Sequence, residues 1–176
     1  VDHNTYGYRG IFVDAWKGVD YLLNRPEVDA SRIGVTGSSQ GGGLTLTTAA
    51  IRPEIRAASA SAPYLCGITD AIDLTQTYPY QEINDYLKLH PESTQDVHKT
   101  LAYFDGINFA DRISCPIIVN IGLQDNTCPP ETGFAVFRSI GSEDKRLYTF
   151  DKQGHDAGRH QHEETVEEFF KEHLGF

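Results

Sequence analysis

Residues 8 to 24, YRGIFVDAWKGVDYLLN, set Ile11, Ala15, Val19 and Leu22 at spacings of three and four. That period is one face of an amphipathic helix. It predicts a helix ending before Arg25-Pro26, since a residue ahead of proline is pushed out of helical geometry. The pattern then changes. Residues 32 to 36, RIGVT, predict a short apolar strand, and residues 44 to 51 a buried helix that stops before Pro53. Residues 57 to 62, alanine and serine alone, predict a second strand. Residues 68 to 104 read as irregular and helical, rich in tyrosine and acid, with breaks at Pro79 and Pro91. Residues 116 to 123, PIIVNIGL, give the clearest strand, an apolar run with β-branched residues and one asparagine. A helix over 131 to 139 and a strand over 145 to 150 follow. The closing stretch, HEETVEEFFKEHLGF, puts Val166, Phe169, Phe170 and Leu174 on one side and acids on the other, which predicts an amphipathic helix.

Helices and strands therefore alternate from end to end. Alternation of that kind predicts an α/β fold, a parallel sheet with helices on both faces. In such sheets the working residues sit on loops at the carboxyl ends of the strands. Residues 1 to 176 contain no internal repeat or low-complexity linker and read as a single domain.

Composition narrows the function. Apolar residues make up 39% and charged residues 23% of the 176 residues, ordinary values for a globular protein. The net charge is −10, from 25 acids and 15 bases. Such a chain repels a phosphate backbone on average, so nucleic acid is not an expected partner. No apolar run approaches the roughly 20 residues a membrane helix needs, and no secretion signal is visible. Cys66, Cys115 and Cys128 form neither a disulfide framework nor a zinc pattern. They read as buried thiols in a reducing compartment. The chain has no methionine and opens in mid-pattern with VDHNTYGYRG; two readings stand, a removed initiator or a piece of a longer protein.

The candidate chemistry begins at GVTGSSQGGG, residues 34 to 43. Gly37-Ser38-Ser39-Gln40-Gly41 fits G-x-S-x-G with Ser39 at its centre, between a predicted strand and a predicted helix. That is the setting of a nucleophile elbow, a turn tight enough to push the serine hydroxyl into the open. Gly37 and Gly41 are expected to be glycine because side chains there would collide with neighbouring elements. The N–H of Gln40, at a helix N-terminus, is the expected first oxyanion donor. A flexible linker would not sit between apolar elements, and a phosphate cradle would want the P-loop lysine or G-x-G-x-x-G.

A serine hydroxyl needs a base, and the base an orienting acid. Asp125 lies two residues past PIIVNIGL, and His155 lies in a glycine-flanked loop after the last predicted strand. The order serine, acid, histidine is that of the α/β-hydrolases. Each has a blander reading: Asp125-Asn126 as a turn former, His155 as a solvated loop residue. His155, Asp156, His160 and His162 also spell H-D-x-x-x-H-x-H. No second ligand cluster supports a metal, and neither metal nor cofactor is expected.

With these residues in view, the chain resembles the acetyl xylan esterases and cephalosporin C deacetylases of carbohydrate esterase family seven, within the α/β-hydrolases. The match rests on GSSQGGG at 37 to 43, YLC at 64 to 66, YPYQEINDYLKLH at 78 to 90 and TLAYFDGINFADRISCPIIVNIGLQDNTCPP at 100 to 130. It runs along nearly all of this chain but only about the C-terminal half of the family. The resemblance implies hydrolysis of acetyl esters on small molecules such as xylo-oligosaccharides and cephalosporin C, with Ser39 as nucleophile, Asp125 as orienting acid and His155 as base. It also implies cytoplasmic, metal-free homo-oligomers, typically hexamers. Asp156 stands where the family usually has glutamate. The family portion without a counterpart here carries the early strands and a tyrosine whose backbone N–H completes the oxyanion hole.

The combined reading is a serine esterase acting on small acetylated substrates, with Tyr64, Leu65, Tyr78 and Pro79 expected to line the substrate pocket. Three alternatives keep distinct signatures. A prolyl oligopeptidase-type peptidase would prefer peptides, an inactive hydrolase-fold fragment would bind without turnover, and a metal-dependent hydrolase would be silenced by chelators.

Overall fold

The computed structural model describes residues 2–176. Its strands are β1 (Ile33–Ser38), β2 (Ile55–Ser61), β3 (Ile117–Gly122) and β4 (Lys145–Phe150). All neighbouring pairs are parallel, and the spatial order β1-β2-β3-β4 follows the chain. Among the described residues the α-helices are α1 (Tyr8–Leu23), α2 (Gln40–Ile51), α3 (Ile68–Leu74), α4 (Tyr80–Leu89), α5 (Thr94–Ala102), α6 (Pro130–Ser139) and α7 (Arg159–Leu174).

Each strand's alternation decides which helix covers it. On β3, Ile117, Val119 and Ile121 share a cluster with Ala58 and Ala60 of β2, Leu46 of α2 and Val136 of α6. Ile118 faces the other way, with Ala57, Phe169 and Leu174. So α2 and α6 cover one face and α7 the other. With both faces covered, every residue of β3 is buried, as its continuous apolar run requires. Burying each such Ile or Val contributes about 1.5–3 kcal/mol. α2 also lies directly against the end of β2 and the turn after it: a Cβ on Gly42 would sit 2.6 Å from the Ser61 carbonyl and 3.0 Å from Pro63.

The predicted alternation holds, with boundaries shifted by a few residues, and residues 68 to 104 resolve into α3, α4 and α5. One prediction is corrected. In α1 the buried positions are Phe12 and Val19, with Trp16 and Leu23 packed beside them, whereas Ile11 and Leu22 are exposed. The helix is turned by one residue because Phe12 is drawn into an aromatic cluster, its ring 5.6 Å from Phe104 and 6.1 Å from Trp16. That cluster joins α1 to α3, α4 and α5 in a second core. β1 is a sheet edge: β2 lies on one side, and no strand among the described residues lies on the other.

Candidate active site

Ser39 occupies the single residue between β1 and α2, with φ 56° and ψ −117°. A non-glycine residue there is strained by about 1–3 kcal/mol and persists only if its surroundings hold it. Three backbone bonds do so: Ser39 N–H donates to Ser61 O at 2.9 Å, and Ser39 O accepts from Gly43 at 3.0 Å and Tyr64 at 2.9 Å. The packing also explains two of the glycines. A Cβ on Gly37 would lie 2.5 Å from the main chain of Gly41, and one on Gly43 would run into the Tyr64 carbonyl. The expectation for Gly41 is corrected, since a Cβ there meets nothing within 4 Å.

The other two predicted residues reach Ser39 from later strand ends. Asp125 follows β3 and His155 follows β4, and their loops are tied together by Gln124 N–H to Gln153 O at 2.9 Å. His155 Nδ1 is 2.8 Å from Asp125 Oδ2, and His155 Nε2 is 2.9 Å from Ser39 Oγ. A carboxylate only accepts, so Nδ1 carries the proton and Nε2 is left free to accept from the serine hydroxyl. Asp125 is also a turn former. Its Oδ1 accepts from Thr127 N–H at 2.8 Å and Cys128 N–H at 2.9 Å. One oxygen holds the loop and the other meets the histidine, so the turn contacts and the histidine contact coexist on one carboxylate. The Asp125 hydrogen bond raises the His155 pKa above the ordinary 6.5, with partial burial acting against it.

At Gln40 the first N–H groups of α2 come free, since the helix's own bonding begins with Gly43. Its side-chain Nε2 donates to the Tyr8 hydroxyl at 3.2 Å. Beside that contact opens an apolar cavity of about 590 Å3, bordered by Tyr6, Tyr8, Tyr64, Pro79, Ile83 and Tyr86. Of the four pocket residues expected, the structure brings Tyr64 and Pro79 to this cavity. Leu65 instead is buried in the second core at φ 62°. Tyr78 is exposed and donates to Asp85 at 2.6 Å. Neither Leu65 nor Tyr78 lines the cavity. Sequence reasoning missed Tyr6, Tyr8 and Tyr86; the tyrosine-rich composition was the available signal, but only the fold gathers them.

Cys128 also belongs to the site unannounced. It is buried, as are Cys66 and Cys115, and all three thiols are free. Burial and then the Asp125 charge push the Cys128 thiol well up, with a Ser39 hydrogen bond acting the other way. Ligating atoms of Asp125, Cys128 and His155 lie within 4.8 Å of one another. The H-D-x-x-x-H-x-H residues do not gather. Asp156 is exposed, the exposed His160 lies 3.4 Å from Glu163, and His162 is buried against Tyr148.

The family model for acetyl xylan esterase (AXE1) matches residues 1–173. The acetyl esterase Axe7A of Xylanibacter ruminicola is 34% identical over 148 residues, which cover 84% of this chain and 33% of that protein. Among solved structures, the acetyl xylan esterase from Paenibacillus sp. R4 is 37% identical with a TM-score of 0.93, over 98% of this chain and 55% of that one. Acetyl xylan esterase 1 from Thermoanaerobacterium sp. JW/SL YS485 is 35% identical with a TM-score of 0.89, over 97% and 55%. The chain thus spans about a third to a half of the relatives it matches, and its fold is that of an α/β-hydrolase. By both sequence and structure, the chain belongs to the acetyl xylan esterase family.

Proposed function

We propose that this chain carries the nucleophile, base and orienting acid of a serine esterase that removes acetyl groups from small acetylated substrates. The observation that carries the reading is the continuous relay Asp125–His155–Ser39, with both hydrogen bonds under 3 Å. Ser39 Oγ attacks the acetyl carbonyl while His155 Nε2 takes its proton, and the oxyanion forms against the Gln40 N–H. His155 then protonates the leaving alcohol, which departs and leaves acetyl-Ser39. Water, deprotonated by the same nitrogen, releases acetate.

Acetylated xylo-oligosaccharides and cephalosporin C-like esters are the proposed substrates, on the strength of the family. A homo-oligomer in the cytoplasm is proposed on the same ground, and three free thiols suit a reducing compartment. No helix among the described residues is long and apolar enough to cross a membrane.

The test is acetate release from p-nitrophenyl acetate by this chain beside Ser39→Ala and His155→Ala. A parallel arm treats all three with a fluorophosphonate and reads the mass of the Ser39 peptide. Turnover lost in both variants, with Ser39 labelled only where His155 is present, supports the reading. Labelling elsewhere, or turnover that survives Ser39→Ala, overturns it.

A further inference from the structure

We infer that Asp125, Cys128 and His155 form a binding site for one thiophilic divalent cation, of the zinc and cadmium class, and that filling it switches the triad off. The inhibition part rests on the proposed esterase; the binding part rests on geometry alone. A carboxylate, a thiol and an imidazole are a donor set that such cations favour. Around a tetrahedral zinc, ligand atoms sit roughly 3.3–3.6 Å apart, from bond lengths of about 2.0–2.3 Å. The three ligating atoms here already lie within 4.8 Å of one another, so they need close by at most about 1.5 Å. Asp125 and Cys128 are both on the loop after β3, and the two loops of the site are hydrogen-bonded to each other. The donors are held together before any ion arrives.

Charge favours the same occupant. On binding, the Cys128 S–H bond breaks, its proton goes to solvent, and the sulfur bonds to the metal as a thiolate. With the Asp125 carboxylate and a neutral His155, the filled site is then uncharged overall, the arrangement a buried position tolerates. The side chain of His155 is 35% exposed, which gives the ion its way in. Three protein ligands leave a fourth position for water.

The consequence for catalysis does not depend on which histidine nitrogen the ion takes. Nδ1 is committed to Asp125 at 2.8 Å and Nε2 to Ser39 at 2.9 Å. An ion on Nδ1 ends the orienting bond and sends that nitrogen's proton to Nε2, which can then no longer accept from Ser39, and an ion on Nε2 occupies the proton acceptor itself. Either way the serine loses its base. The metal here acts against the reaction, so a chelator restores activity, the reverse of its effect on a metal-dependent hydrolase.

The experiment titrates the untagged chain with cadmium and follows the thiolate-to-cadmium charge-transfer band in the ultraviolet, which needs no turnover. The expected result is a band saturating at one equivalent. It should be absent in Cys128→Ser, kept in Cys115→Ser, and at least roughly tenfold weaker in affinity in His155→Gln, since even outer-shell changes cost about 10–100-fold. In the rate arm, zinc inhibits acetate release reversibly with EDTA. Cys128→Ser, compared with its own metal-free rate, needs at least about tenfold more zinc. A band that persists in Cys128→Ser, no band in folded protein with cadmium in excess, or unchanged affinity in His155→Gln overturns the site. Cadmium binding by a chain that shows no turnover would leave the site standing and count only against the esterase reading.

Discussion

Asp125 binds His155 with one carboxylate oxygen at 2.8 Å while its other oxygen accepts two N–H groups of its own loop. The acid is thus fixed before it fixes the base, and the bond raises the His155 pKa. Two outcomes follow. The acid limb of kcat/KM against pH should lie above the ordinary imidazole value of about 6.5, because catalysis needs His155 neutral. In Asp125→Asn that limb should shift down, while the maximal rate falls by up to about 10⁴, since the amide no longer selects the productive tautomer. A pH–rate profile of the two proteins checks both. An acid limb at the same pH in the variant would show that Asp125 does not set the His155 pKa.

The glycine run can be taken apart by stability. Gly37 abuts the main chain of Gly41, and Gly43 the Tyr64 carbonyl, whereas Gly41 has open space and lies in the first turn of α2. Gly41→Ala should be neutral, or stabilising by up to about 1 kcal/mol through helix propensity. Gly37→Ala and Gly43→Ala force backbone apart and should each cost more than about 3 kcal/mol, at the severe end of single substitutions. Urea midpoints of the three variants separate the positions; equal losses would mean that the tight contacts are not where the structure puts them.

Acid sensitivity should come from His162. It is 4% exposed, its Nε2 has no partner among the described residues, and its ring lies 4.1 Å from Tyr148. Burial lowers its pKa, so below about pH 6.5 the unfolded chain binds its proton more readily than the folded one. Stability from this residue therefore falls as pH drops through 6.5, by at most about 1.4 kcal/mol per pH unit. His155, with a raised pKa, has the opposite sign: its contribution is full below the ordinary value and is lost as pH rises through the folded one. Denaturant midpoints between about pH 7 and pH 5 should fall less in His162→Phe than in the unaltered chain. Parallel curves would rule His162 out.

How much of this was legible in the sequence depended on how local the cause was. The apolar face of α7 follows from side-chain periodicity, which is written in consecutive residues. The positions of Ser39, Asp125 and His155 on strand ends follow from the same periodicity plus fold order. The pocket was another matter. Ala62 at φ 40° and Leu65 at φ 62° take left-handed conformations rare for such residues, and these turn Leu65 into the core while Tyr64 reaches the cavity. The register of α1 failed for a similar reason: Phe12 and Ile11 are both apolar, and only the aromatic cluster with Phe104 chooses between them. Cys128 has no local signature of its own, since Ser39 and His155 reach it from other parts of the chain.

Asp105 shows what the most specific sequence block, residues 100 to 130, conceals. It is 7% exposed, and its carboxylate accepts from Gly67 N–H at 2.8 Å, Ile68 N–H at 2.7 Å and Ile107 N–H at 3.0 Å. The first two donors open α3, which has only seven residues and cannot sustain itself as an isolated helix. A distant carboxylate thus starts the helix, which is why no local pattern marks it. Burial raises the Asp105 pKa, although all three N–H groups favour the charged form. Asp105→Ala leaves three donors without their acceptor, at about 1–3 kcal/mol each, so a loss of at least about 3 kcal/mol is expected. Asp105→Asn keeps one acceptor oxygen and should recover part of it. Hydrogen exchange at Gly67 and Ile68 should speed up in Asp105→Ala far more than at Val119 in the sheet. Uniform acceleration across the chain would mean that Asp105 supports the whole fold rather than the start of α3.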